Sequence, residues 1–282
     1  MTEPNRLYGE VIETEVLSPH MLRVVLGGAG LDAFEPIGDT DQYVNCFFLP
    51  EGAPYCVPFT DDAVRDLPRD QRPFARRITV RAWDPQTRRL HLDFVVHGEV
   101  GYAGRWALHA RPGDRLQLRG PAGGYHPEDD ADSYLLVGDA SALPAIAAAA
   151  EAVPEGRPVV IVAEVPSAAD EIPLESPGEL TVRWVHTVDD GDAVRLLADA
   201  VAALPRPEGV VSAFVHGEAE SVRAVRRVLL SERIVTGDRL SCSPYWRLGH
   251  DDEAWRSVKA AWVREVAAET LPAPVRTERT SA

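Results

Sequence analysis

The chain has 282 residues, with 29 basic against 44 acidic side chains, a net charge of −15, 45% hydrophobic residues and 26% charged ones. That composition excludes a disordered, collagen-like or small disulfide-scaffold chain, and the length suits about two domains that can each bury a core. The acidic balance speaks against a nucleic-acid coat or a binder of anionic membranes, and leaves room for a local basic pocket.

From Tyr8 to about Gly124, short β-rich runs alternate with turn residues. LYGEVIETEVL, LRVVLGG, QYVNCFFL, RRITVRAW, LHLDFVVHG and DRLQLRGP each predict a strand. Their spacing, with Asp84-Pro85-Gln86 and Pro112-Gly113-Asp114 as turn initiators, fits an antiparallel barrel. The Leu26–Gly30 segment has no third glycine in register and opens no βαβ unit, so it reads as a glycine-rich turn. In RRITVR a strand places Arg77, Thr79 and Arg81 on one face and Arg76, Ile78 and Val80 on the other. HGEVGYAGRWA sets Gly98, Gly101, Ala103 and Gly104 ahead of a helix-like RWALHA. Small residues there suit either a tight barrel corner or a close approach of backbone donors to an anion.

The acidic tract PEDDAD, residues 127–132, reads as a linker, and beyond it the rhythm changes. SYLLVGD is a buried strand and Leu143 to Val153 a helix. The strands RPVVIVAEV and ELTVRWVH follow, then the helix Ala193 to Ala203, the strand GVVSAFVHG and the helix Glu220 to Ser231. Alternating units of this kind predict a parallel, doubly wound sheet covered on both faces. A last helix, Asp251 to Glu269, carries Trp255, Val258 and Trp262 on one stripe. The tail after Leu271 is expected to fray. The acidic pairs Asp189-Asp190 and Asp251-Asp252 read as helix-start charge. The organisation expected is a barrel domain over 1–130 and an α/β domain over 131–282.

YLLVGDASALPAI, residues 134–146, ends its strand at Gly138, where Asp139 or Ser141 can cap the next helix and Pro144 sits in the first turn. The turn is either an ordinary capped helix start or a set of backbone donors for a phosphate, a carboxamide or a flavin edge. The histidines fall at no metal-ligand spacing, so no metal site is expected. No hydrolase, ATPase or Cys/His catalytic pattern occurs. Cys46, Cys56 and Cys242 form no CxxC pair, and the first residues carry no signal-peptide pattern. No apolar run is long enough to span a bilayer, and a soluble, cytoplasmic protein is expected.

RRITVRAWD (76–84), DFVVHGEVGYAGRWA (93–107), YLLVGDASALPAI (134–146) and SPYWRLGHDDEAWR (243–256) stand in an order that resembles the siderophore-interacting family of FAD-dependent, NAD(P)H-linked ferric-siderophore reductases. AEVPSAADE (163–171) and FVHGEAESVRAVRR (214–227) extend the resemblance, which runs from Tyr8 to about Glu265. It implies an FAD-binding barrel, a sheet domain that receives NAD(P)H, and electrons passed singly to chelated Fe(III). By position, Arg76, Ile78 and Thr79 would meet the flavin and its ribityl-phosphate arm. Val96, His97, Gly98, Gly101, Ala103 and Gly104 would wrap the pyrophosphate. Gly138, Asp139 and Ser141 would face the nicotinamide and the flavin edge, with Gly217 and Glu218 at a second nucleotide-side loop. Tyr43, Asn45, Tyr102, Tyr245, Trp246 and Arg247 would contact the substrate. The resemblance assigns no catalytic residue.

Five departures from the family pattern bear on function. Ile78 stands where a tyrosine is usual, and Gly104 replaces an anchoring hydroxyl. Asn45 replaces a lysine suited to an anionic siderophore, Ala140 an acid, and Thr187 an arginine that could meet a phosphate. They open an alternative: a member recruited to natural-product biosynthesis, working on an organic substrate in the inter-domain cleft. Such a member could act without flavin, by a non-redox cyclisation or isomerisation. Arg76, Arg81, Arg105 and Arg247 remain as candidate anion contacts.

Overall fold

The computed structural model describes residues 7–187 and 193–269. The chain forms two compact units: one runs to His126 and takes in Ala147–Ala149, and the other comprises 127–146 and the residues from Ala150 onward. In the first unit, β1 (Leu7–Ser18), β2 (Met21–Gly27), β3 (Tyr43–Phe48), β4 (Phe74–Asp84), β5 (Arg89–Val95) and β6 (Arg115–Ala122) close a barrel in the order β1-β2-β5-β4-β3-β6. Every strand pair is antiparallel. Alternation fixes the register: Val24, Leu26, Val44, Leu90 and Leu92 point inward and are wholly buried. Each such side chain contributes roughly 1.5–3 kcal/mol of burial. The barrel unit also contains α1 (Asp61–Arg65), which Thr60 caps by accepting from the Ala63 amide at 2.8 Å. That short helix was not legible in the sequence.

The helix α2 (Ala103–His109) covers one end of the barrel. Its Trp106 ring lies 5.7 Å from Phe48 and 5.9 Å from Phe94, and Ala107 is buried beside it. The loop 96–102 is therefore fastened to the core by the helix that follows it.

In the second unit, β7 (Ser133–Asp139), β8 (Pro158–Val165), β9 (Glu179–His186), β10 (Val211–Glu218) and β11 (Leu240–Trp246) form a parallel sheet in the order β11-β10-β7-β8-β9. The chain leaves β7 toward β8 and β9, then returns to place β10 on the other side of β7. The strand order therefore reverses between β7 and β10, and in open sheets ligands bind beyond the carboxyl ends at such a point. Helices α4 (Ala193–Ala202) and α5 (Ala219–Ser231) pack with Leu135, Val137 and Val162 on one face. The helix α3 (Leu143–Glu151) takes the opposite face, because a Cβ on Gly138 would meet Ala142 Cβ at 2.6 Å and Ile146 Cδ1 at 3.1 Å. α6 (Asp252–Ala267) begins at Asp251, which accepts from the Ala254 amide at 2.7 Å.

Three expectations are corrected. β11 was not anticipated, because LSCSPYW lacks apolar alternation and carries Pro244; an edge strand tolerates both. On α6 the buried stripe is Trp255, Trp262 and Val266, while Val258 is 37% exposed. The acidic tract 127–132 is no free linker. Glu128 and Asp130 hold Arg239 at 2.7 Å each, and Asp132 accepts from the Val210 amide at 2.8 Å, which fastens the tract to the second unit. The expected acidic turn at Asp189-Asp190 and the tail after Leu271 lie outside the described residues.

Candidate functional site

In the first unit the expected residues fall into two groups. On the outer face of β3 and β4, Tyr43 stands directly across from Thr79 and Asn45 across from Arg77. The Arg77 guanidinium lies 5.1 Å from the centre of the Tyr43 ring, a partner that the alternation of RRITVR placed beside Thr79. Ile78 shares the opposite face with Val44 and packs against the barrel core.

The second group is the loop before α2. Tyr102 stacks on Phe74 at 3.6 Å with the rings 13° from parallel, and Arg76 lies 5.6 Å from the Tyr102 ring. This stack ties the loop to the start of β4 and brings Arg76 and Tyr102 together. Gly98 and Gly101 have φ of 63° and 79°, and nothing lies within 4 Å of where their side chains would begin. Glycine is needed there for backbone conformation. Gly104 is the reverse case: it is buried, and a Cβ would sit 3.1 Å from the Val95 carbonyl oxygen. A side chain here, such as the hydroxyl-bearing one of the family pattern, would press on β5 and require it to shift by a few tenths of an ångström. Val96 is buried and donates its amide to the His20 carbonyl at 2.9 Å, while His97 is exposed. Glu99 lies 3.0 Å from His109 and 3.7 Å from Arg105, so Arg105 already faces a carboxylate.

In the second unit, Asp139 stands at the carboxyl end of β7 and is buried. Its Oδ1 accepts from the Ser141 amide at 2.8 Å and the Ser141 hydroxyl at 2.5 Å. Its Oδ2 accepts from the Glu218 amide at 2.7 Å and from Trp246 Nε1 at 2.8 Å. Burial raises the Asp139 carboxyl above its ordinary value, and these four donors pull it back. Gly217 makes the approach possible: at φ 139°, a Cβ there would lie 2.6 Å from Asp139 Oδ2. Glu218 in turn caps α5, accepting from the Glu220 and Ser221 amides at 2.7 and 2.9 Å, and from the Leu248 amide at 3.1 Å.

Two further groups join this edge. Glu164, near the end of β8, is paired in register with Asp139. Burial and the neighbouring Asp139 and Glu218 charges push its carboxyl up to about 7, and its Oε2 is shielded from water without a hydrogen-bond partner. Sequence reasoning missed it, although an acid closing an otherwise apolar strand run is a readable signal. His216, on β10, stacks on Phe214 at 3.8 Å. Its Nε2 is 3.0 Å from Ser241 Oγ, and burial lowers its pKa to about 3, which keeps the ring neutral.

Three of the residues expected to contact the substrate, Tyr245, Trp246 and Arg247, diverge. Trp246 joins Asp139. Tyr245 meets His216 edge-on at 5.1 Å. Arg247 binds Glu220 at 3.1 Å and lies 5.9 Å from the Trp255 ring, which makes it a brace between β11, α5 and α6. Among the described residues no group of His, Cys, Asp and Glu is placed to hold a metal ion.

Residues 10–125 match the model of the siderophore-interacting FAD-binding domain, and residues 131–249 match that of the siderophore-interacting protein. An uncharacterized protein of Mycobacterium tuberculosis is 40% identical, covering 92% of this chain and 94% of its own. The ferric vibriobactin reductase ViuB of Vibrio cholerae is 33% identical, covering 90% of this chain and 94% of its own. The chain belongs to the siderophore-interacting protein family. The family member SipS from Aeromonas hydrophila has a crystal structure that superposes with a TM-score of 0.77 at 29% identity, over 93% of this chain and all of that one. The fold is therefore the family's barrel followed by its parallel sheet. FAD is the cofactor for which the barrel domain is named, and the first unit fits it. The open backbone at Gly98 and Gly101, next to the Arg76–Tyr102–Phe74 stack, leaves room for a diphosphate against main-chain donors. None of the relatives named here supports the flavin-free biosynthetic alternative.

Proposed function

We propose that this protein is an FAD-dependent reductase that takes a hydride from a nicotinamide nucleotide and reduces Fe(III) held by a siderophore. The observation that carries the reading is the strand-order reversal between β7 and β10. There Gly138, Gly217 and the Asp139 hydrogen-bond set clear and fix the sheet edge, in a chain similar to ViuB almost throughout. Bound FAD supplies the conversion of a two-electron hydride donor into single electrons.

The protein's part is positioning. The loop through Gly98, Gly101 and Gly104 would hold the FAD diphosphate by main-chain N–H groups, with Arg76 alongside. Thr79 and Tyr43 would set the flavin end on the outer face of β3 and β4. Asp139 acts through others: it fixes the Ser141 hydroxyl, the Glu218 amide and the Trp246 indole in one arrangement. One nucleotide oxidised releases one proton and two electrons, enough for two Fe(III) ions. Oxygen-donor chelators hold the resulting Fe(II) less tightly. The free cysteines Cys46, Cys56 and Cys242 support a reducing, cytoplasmic setting.

The test is an absorbance scan of the protein after loading with FAD and desalting, followed by addition of reduced nicotinamide nucleotide and a ferric siderophore with an Fe(II)-specific dye. Retained flavin bands that bleach with the nucleotide, and colour from Fe(II), are expected. Loss of all flavin on desalting, or bleaching without Fe(II), would overturn the assignment.

A further inference from the structure

The carboxyl edge of the sheet has two chemically different sides. Toward β10 and β11 it presents Gly217 and Trp246. Toward β8 and β9 it presents carboxyl groups, Glu164 at the end of β8 and Glu171 in the segment that follows, whereas Asp170 beside it is buried and accepts from the Ser167 hydroxyl at 2.9 Å. His186, ending β9, has its Nε2 2.8 Å from Glu171 Oε1. Between Arg157 and Arg183, and again between Arg183 and Arg195, the chain contains no arginine or lysine. The one arginine on β9 is turned away, since Arg183 donates to the Ala200 carbonyl of α4 at 3.1 Å. Glu164 Oε2 is an orphan: shielded from water, it makes no hydrogen bond within the described residues.

A dinucleotide laid across a strand-order reversal places its adenosine ribose at the end of the strand beside the first one, here β8. An acid at that point accepts from a ribose 2′-hydroxyl, whereas a 2′-phosphate calls for an arginine. Here a 2′-phosphate would meet the Glu164 and Glu171 carboxyl groups, with His186 already engaged by Glu171 and no lysine or arginine in the 158–194 stretch except the averted Arg183, which is discrimination by repulsion. We propose that the hydride donor is NADH, with Glu164 receiving the ribose hydroxyl and Glu171 rejecting the 2′-phosphate of NADPH. This rests on the nicotinamide-driven reading above and deepens it.

Binding of NAD+ and NADP+ to the full-length, FAD-loaded protein, measured by titration calorimetry, tests the proposal without turnover. NAD+ should bind more tightly by at least about tenfold, with the gap narrowing as salt rises. Glu171→Arg and, independently, Thr187→Arg should strengthen NADP+ binding several-fold while leaving NAD+ binding within a factor of about two. Equal affinities, or a preference for NADP+, would overturn the NADH assignment and leave the reductase reading standing. If neither nucleotide binds, both fail together.

Discussion

The two units present ligand-facing surfaces made of different material. In the barrel, the loop through Gly98, Gly101 and Gly104 owes its shape to backbone conformation and to the space around α2, and few side chains reach into it. In the sheet, the edge between β7 and β10 is built from side chains, above all the Asp139 carboxylate and its four donors. A backbone surface suits a ligand recognised as a diphosphate of fixed shape. A side-chain surface suits one that must be told from a close chemical relative.

The contrast can be broken most sharply at Asp139. Replacement by alanine strands the buried Glu218 amide and frees Trp246, and should cost about 3 kcal/mol or more in denaturant unfolding. Asp139→Asn should cost less, because one carbonyl oxygen remains. If Asp139→Ala melted like the parent, the edge would not depend on its side chains in the way described.

The Glu164 carboxyl provides a test by pH. It titrates near 4.5 when the chain is unfolded and about 7 when folded, so the folded state holds the extra proton between those values. The associated stability is complete below pH 4.5 and is lost as pH rises through 7, by roughly 2 kcal/mol after allowing for partial solvent access. Glu164→Gln should remove that slope from the melting profile, and an unchanged slope would assign it elsewhere.

On the barrel side, two glycines separate space from conformation. Gly104→Ser should destabilise by about 1–3 kcal/mol, because the added atoms press on the Val95 carbonyl. Gly98→Ala meets nothing, and should cost only about 1 kcal/mol through its left-handed backbone. Thermal melts of both variants, with and without FAD, would rank the two effects. The smallest change belongs to Arg247→Ala. Its partner Glu220 is about as exposed as it is, so stability should fall by less than about 1 kcal/mol and flavin retention after desalting should not change. A lost flavin would give Arg247 a role at the ligand beyond its contacts with Glu220 and Trp255.

Much of this was legible beforehand because periodicity is local. All six barrel strands and the glycine loop lie within residues of the motifs that announced them, and the turn after SYLLVGD carries Gly138, Asp139 and Ser141 together. What escaped was decided by distant neighbours. β11 is a strand only because β10 offers it a parallel partner, and Pro244 is harmless only because that strand is an edge. Val258 obeys the helix period but lies outside the arc that meets the rest of the unit. Arg247 carries a charge suited to an anion, and a carboxylate 27 positions earlier in the chain takes it first. Glu164 looked like the polar end of a strand; only the register with Asp139 made it a buried acid.

Trp106 sits among Phe48 and Phe94 while the chain just ahead of it forms the glycine loop. The loop and the barrel core are thus one thermodynamic system. A cofactor bound at the loop raises the barrel's melting temperature by mass action, in proportion to the logarithm of its concentration over its dissociation constant. The same linkage runs backward: trimming Phe94, inside the barrel core, should register as weaker apparent cofactor affinity once a measurable fraction of the chain is unfolded.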